Sequence, residues 1–383
     1  MTGALAGLRI VELGALGPAP YAAQLLADHG ADVLRVERAD RVLAPGQPNT
    51  TARHDVNGRN RPCAGIDLKH PDGVALVRCL CADADGLIEG MRPGVLERLG
   101  LDPDELIRDN PRLVIGRMTG WGQDGPWADH VGHDLNYLSV TGALHAIGPA
   151  DGPPPPPLNL VGDFGGGGLL LAFGMVMALL AAQRSGDGQV VDAAMVDGVA
   201  SQLGTFVGMT SMGLWVEQRE SNFLDGGAHF YRCYECADGE HVAVAAIEPQ
   251  FYAALLGRLG LDGEHLPDQH DRSAWPAMRD RLAAVFRTRP RDAWAAHFDG
   301  HSACVTPVLR MSESWAHPHH VARGTFVDVD GAPQPAPAPR LSRTPGTIRS
   351  VADAPGQHTD EALAAWGVPA PERNRLRETG AIA

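Results

Sequence analysis

LRIVELGALGPAPYAAQLLADHGADVLRVE, residues 8–37, decides the fold. Residues 8–13 are a short apolar run with the composition of a strand. Gly14 to Pro20 read as a loop. A helix follows from about Tyr21 to His29, and Pro18 and Pro20 suit a helix start, where a missing N–H costs nothing. Val33 to Glu37 form the next strand. Strand, helix, strand is a βαβ unit, and it requires parallel strands.

The alternation continues outward. Pro71 and Asp72 open a helix that runs to about Ala82, and Gly86 to Glu89 are a strand. Val95–Leu99 and Pro103–Asp109 are helical, and Leu113–Met118 form a strand. This predicts an α/β, doubly wound, Rossmann-like large domain with ligands near the carboxyl ends of its strands. The partial match Gly14-Ala-Leu-Gly17 lacks the full GxGxxG spacing, so it does not support a nicotinamide cofactor. Arg38 to Asn60 show little periodicity and read as a surface loop. PPPPP at 153–157 reads as a stiff connector. Texture changes near Asn222: Phe230–Cys236 and His241–Ala246 are strands joined by the ADGE turn at 237–240, and a helix runs from Pro249 to about Leu259. The expected organisation is a large domain 1–195 completed by the tail 325–383, a linker 196–222, and a small α+β domain 223–324. Thr359 to Trp366 in the tail form a helix.

The chain has 383 residues, 44% hydrophobic and 20% charged, which supports a sizeable core and two domains. A net charge of −14 excludes a general nucleic-acid binder but not an anionic ligand held by local arginines. Lys69 is the single lysine. Six cysteines in this length are no disulfide framework. Cys233 and Cys236 are a lone CxxC whose side chains point to opposite faces of a strand, and His317, His319 and His320 read as a solvated loop; no metal site is expected. The N-terminus has no signal-peptide pattern, and the run Leu169–Ala182 is too short to span a bilayer and reads as a buried helix. A cytoplasmic protein with reduced thiols is expected.

Three carboxylates and a histidine stand out. In GHDLNY, residues 132–137, His133 and Asp134 sit at a helix start, where free N–H groups favour developing negative charge. In NLVGDFGGGG, residues 159–168, Asp163 precedes a glycine tract and an apolar helix. Desolvation there raises a carboxyl pKa, as an acid working near neutral pH needs. Glu248 precedes Pro249 at a helix start. Each has a plain alternative: a capping Asp134 beside an ordinary histidine, an N-cap Asp163, a routine helix-start Glu248.

Together with VVDAAMVDG at 190–198 and IEPQFY at 247–252, these motifs resemble the α-methylacyl-CoA racemases of the family III CoA-transferase superfamily. The likeness runs from GLRIVEL at 7–13 to PAPRLSR at 337–343. It implies that His133 and Asp163 exchange the α-proton of a 2-methylacyl-CoA thioester through an enolate. Glu248 would hydrogen-bond the histidine, and the Asp134 backbone N–H would hold the thioester oxygen. Coenzyme A, as part of the substrate and with no further cofactor, would lie on Arg38, Ile66, Asp67, Leu68, Lys69, Gly90, Met91, Arg92, Arg98, Gly132, Asn136, Tyr137 and Asn159. The family fold is an interlocked homodimer with the site between subunits. The 39–59 loop is longer than the family's and lies where adenosine should sit, and Met91 replaces an expected aromatic residue. The rivals are a family III CoA-transferase with a nucleophilic aspartate and a non-catalytic acyl-CoA-binding protein. The sequence does not fix the acyl chain: sterol, branched fatty acid and arylpropionyl thioesters all fit.

Overall fold

The computed structural model describes residues 3–42 and 50–383, so most of the long loop's centre lies outside the described residues. The chain divides into two units: Met1–Thr141, Leu158–Gln202 and Pro318–Ala383 form the first, Gly142–Pro157 and Leu203–His317 the second. The proline stretch therefore belongs to the second unit, and the expected linker 196–222 is divided between the two.

In the first unit the elements run β1 (Arg9–Leu13), α1 (Pro18–Asp28), β2 (Asp32–Glu37), β3 (Cys63–Gly65), α2 (Pro71–Ala82), β4 (Gly86–Glu89), α3 (Val95–Arg98), α4 (Pro103–Asp109), β5 (Val114–Thr119) and α5 (Asp134–Thr141). A π-helix, Leu160–Leu169, continues into α6 (Leu170–Ser185), then β6 (Val190–Ala194) and α7 (Met195–Gln202). Among the described residues the six strands form one parallel sheet in the order β3-β2-β1-β4-β5-β6. The order reverses between β1 and β4, the place where open α/β sheets bind ligands.

The central strands are buried on both faces, which is why they read as largely apolar runs. One face packs Leu13, Leu34, Leu87 and Ile115 against Val77 and Leu80 of α2 and against the tail residues Leu363, Trp366 and Ile382. The other packs Ile10, Val33, Ile88 and Val114 against Ala22 and Leu26 of α1 and Leu171 and Met175 of α6. Helix α1 starts at Pro18, three residues before the sequence indicates, because the first turn tolerates both prolines.

The glycine tract is helical rather than a loop. Its five-residue register appears in the Phe164 N–H donating to the Asn159 carbonyl at 3.2 Å. The run 160–185 is thus 26 residues with an 18-residue window of mean hydropathy 2.0, long and apolar enough to cross a membrane, contrary to the expectation from its length. Core helices share that composition, and this one packs on β5, β6 and α1. It is not wholly buried: Leu169, Phe173, Val176, Met177 and Leu180 are exposed along one stripe.

The second unit contains α8 (Gly204–Ser211), β7 (Tyr231–Glu235), β8 (His241–Ala245), α9 (Pro249–Leu259), α10 (Trp275–Phe286), α11 (Arg291–Phe298), β9 (Val305–Pro307) and α12 (Met311–Ser314). Strands β7, β8 and β9 form an antiparallel sheet over a core of Phe230, Tyr234, Phe286 and Trp294. Cys233 is exposed and Cys236 buried, on opposite sides as their spacing requires. The chain then returns to the first unit through α13 (Pro318–Arg323), which makes His319 and His320 helical rather than loop residues, and the hairpin β10 (Phe326–Val329) and β11 (Ala332–Pro335). Helices α14 (Thr359–Ala365) and α15 (Ala370–Glu378) close one sheet face, where the Arg9 guanidinium lies 4.1 Å from the Trp366 ring centroid. Buried ion pairs Arg59–Asp28 at 2.6 Å and Arg61–Glu12 at 2.5 Å pin the end of the long loop.

Candidate active site

Helix α5 begins at Asp134, so His133 is the residue before its first turn. The His133 N–H donates to Asn136 Oδ1 at 3.1 Å, and the Tyr137 hydroxyl donates to the Gly132 carbonyl at 2.5 Å. These bonds fix the turn bearing the imidazole, which faces solvent in the isolated chain. Tyr137 is buried and edge-on to Trp121, so Asn136 and Tyr137, both expected at coenzyme A, brace the histidine turn from inside.

Asp163 is not an N-cap; it lies within the π-helix. Its Oδ2 accepts from Asn159 Nδ2 at 3.2 Å, and a carbon built on Gly17 would lie 3.6 Å from it. The loop after β1 therefore passes directly beside this carboxyl, a use of the Gly14–Gly17 segment that its partial nucleotide-loop pattern does not reveal. Burial pushes the Asp163 carboxyl above the usual range; the Asn159 bond opposes this, the charge of Asp134 adds to it, and His133 opposes it.

Asp134 joins the two segments. It is buried, and its Oδ2 accepts the N–H groups of both Gly162 and Asp163 at 2.8 Å. It caps the aspartate's turn rather than its own helix. Its backbone heads α5, where the first N–H groups have no intrahelical acceptor.

Glu248 belongs to the second unit. It is the N-cap residue of α9, and its carboxylate makes no capping bond and is exposed. Gln269, missed in the sequence, fixes the backbone before it: its Nε2 donates to the carbonyls of Ala246 at 3.1 Å and Ile247 at 2.8 Å.

The residues expected at coenzyme A fall at the carboxyl ends of neighbouring strands. Arg38 follows β2, Ile66 to Lys69 follow β3, and Gly90 to Arg92 follow β4, with Arg98 on α3. Arg38, Lys69, Arg92 and Arg98 are all exposed; Arg38 donates to Asp40 at 2.9 Å. Ile66 is buried, and the Asp67 carboxylate is engaged by the Lys69 N–H at 2.9 Å, while Leu68 and Met91 pack against the core. The β4 loop is organised by a group that sequence reasoning overlooked. Buried Glu89 accepts the Met91 N–H at 2.6 Å and pairs with Arg117 at 2.8 Å, which in turn pairs with Glu97 of α3. A carbon on Gly90 would sit 3.0 Å from Ala15, so the loops after β1 and β4 touch at the switch point.

A half-buried acid of raised proton affinity, an imidazole on the adjoining turn, a helix N-terminus and exposed arginines at a switch point define a site for an anionic substrate handled by proton transfer. The chain belongs to CoA-transferase family III, whose pattern matches residues 5–359. It is 46% identical over 366 residues to the α-methylacyl-CoA racemase of Mus musculus, covering 95% of this chain and 93% of that one. To the α-methylacyl-CoA racemase of Homo sapiens it is 45% identical over 370 residues, covering 95% and 94%. A crystal structure of a CAIB/BAIF family protein from Brucella suis shares the fold with a TM-score of 0.82 at 24% identity, covering 96% of this chain and 100% of that one.

Proposed function

We propose that this chain is an α-methylacyl-CoA racemase, interconverting (2R)- and (2S)-2-methylacyl-CoA thioesters by 1,1-proton transfer. The observation that carries the reading is the junction at Asp134, which holds the turn of His133 and the turn of Asp163 together. Identity above 40% to two racemases over nearly the whole chain supports it.

An α-proton beside a thioester is weakly acidic, so the enolate oxygen must be stabilised as its charge forms. The free N–H groups at the head of α5 supply that, and losing one such donor typically costs about 3 kcal/mol. Inversion then needs a base on one face and an acid on the other. His133 and Asp163 hold one transferable proton between them, either on the carboxyl with a neutral imidazole or on the imidazole with a carboxylate. The total charge of the pair is the same in both directions. Glu248 would fix the imidazole tautomer and stabilise its cation.

The coenzyme A moiety is carried by the substrate and needs no separate cofactor; its phosphates fit the exposed Arg38, Lys69, Arg92 and Arg98. A homodimer is part of this reading, with Glu248 supplied by one subunit to His133 of the other. The exposed stripe Leu169, Phe173, Val176, Met177 and Leu180 supports it, since a monomer rarely leaves such a face to water. A cytoplasmic setting is supported by six free cysteines.

The test is exchange of the α-hydrogen with deuterated water across a panel of sterol, branched fatty acyl and arylpropionyl thioesters. Wild type exchanges; His133→Ala and Asp163→Ala lose the rate by orders of magnitude. Hydroxylamine that inactivates the enzyme during turnover, with no α-exchange, would replace this reading with acyl transfer through an aspartyl anhydride. Saturable binding without either result would leave an acyl-CoA-binding protein.

A further inference from the structure

The racemase reading uses the backbone of Asp134 and leaves its side chain without a part. That side chain is only partly explained by tethering. A buried carboxylate is costly unless hydrogen-bonded. Here one oxygen takes two N–H groups at 2.8 Å each, and the described residues give Asp134 no ion pair. A neutral acceptor would also reach N–H groups, without burying a charge between two ionisable groups. Gly162 is shaped to the arrangement: a carbon on it would lie 2.5 Å from Asp134 Oδ2.

We propose that the Asp134 carboxylate is a positioning residue with two effects: it clamps the backbone under Asp163 to the turn of His133, and its charge moves the window in which that pair carries one proton to higher pH. The proposal rests on the racemase reading. A negative charge fixed beside both groups disfavours the state in which neither carries a proton. The raised proton affinity of Asp163, set first by burial and increased by Asp134, agrees with this. So does Tyr137, pushed up to about 12 by burial and by the charges of Asp163 and Asp134.

Other elements packed on the π-helix offer no substitute. Helix α7 carries Asp197 on its exposed side. Strand β5 carries Arg117, engaged by Glu89 and Glu97. On β6 Asp192 accepts the Gln123 N–H at 3.0 Å. Helix α1 brings Tyr21, edge-on to Phe164, and Asp28, which Arg59 and Asn60 hold. Helix α6 has only Arg184, in its last turn.

The experiment is the pH dependence of kcat/KM for α-exchange in wild type, Asp134→Asn, Asp134→Ser and Asp134→Glu, with melting temperature measured alongside. Wild type should give a bell, failing at low pH when both groups are protonated and at high pH when neither is. Removing the charge makes protonation of both groups less favourable, so both limbs of the two neutral variants should move to lower pH, by on the order of one unit. Asp134→Glu keeps the charge and disturbs the clamp, so kcat falls while the limbs stay. Neutral variants whose limbs overlay those of wild type would overturn the proposal, whatever their rate. Two neutral variants are used so that the failure of one to fold still leaves the charge tested by the other. Wild type without any α-exchange would instead remove the racemase reading on which it rests.

Discussion

Gly198→Ala would place a carbon 1.8 Å from the carbonyl oxygen of Gly166 and 2.5 Å from its carbonyl carbon. Ordinary contact begins at 3.4 Å, so helix α7 and the π-helix would have to part by about 1.6 Å. Both partners are backbone, and no rotamer change relieves the clash. Overpacking costs typically about 1–3 kcal/mol, and a rigid backbone contact lies at the upper end. At roughly 2–4 °C per kcal/mol for a unit of this size, the melting temperature should fall by about 6–12 °C. The displaced helix carries Asp163, three residues from Gly166. A shift of about 1 Å at a reacting group can cost on the order of 100-fold in rate. Calorimetry and α-exchange in deuterated water read the two effects. Gly204→Ala is the control, because its added carbon meets nothing within 4 Å. A Gly198→Ala protein that melts with wild type and exchanges at the wild-type rate would refute the claim that this crossing sets the acid's position.

Arg117→Met leaves the buried Glu89 carboxylate without its cation, which should cost about 3–5 kcal/mol in denaturant unfolding and weaken coenzyme A binding through the Met91 loop; unchanged stability would show the pair to be dispensable. Because burial raises the Asp163 carboxyl above its unfolded value, its stabilising contribution is full at low pH and is lost as pH rises through the folded-state value. Asp163→Asn should therefore melt above wild type at pH 7 and converge with it near about pH 4; equal melting at pH 7 would contradict the stated burial cost. Phe173→Asp, on the exposed stripe of α6, should break the proposed homodimer into monomers by light scattering and abolish exchange; a monomeric, fully active wild type would reject the shared site.

The parallel sheet was legible because its strands are short, largely apolar and separated by helix starts marked with proline and acid, as at Pro71 and Pro103. The π-helix was not. A glycine tract has weak intrinsic preference, and here its register is accompanied by close backbone contact with Gly198, an approach that sequence spacing does not display. The exposed face of α6 was hidden for a related reason: hydropathy reports that a stretch is apolar, not which apolar residues a neighbour covers. His133, Asp163 and Glu248 stand out as motif residues, and the structure removes the plain alternative for one of them, since Asp163 is not an N-cap. Glu89 and Gln269 escaped notice because their partners lie far along the chain, at Arg117 and at Ala246 and Ile247.

A π-helical turn differs from an α-turn by one additional residue per hydrogen-bonded ring, and short π segments sit at small energy above the α form. Between 160 and 169 the chain should accordingly accept no change of length. Deleting a single residue there would let the segment relax toward ordinary α-helix and change the direction in which its own side chains point. A carboxyl that now faces the β1 loop would swing away from it while the protein still folded, leaving a stable, correctly shaped and inert molecule.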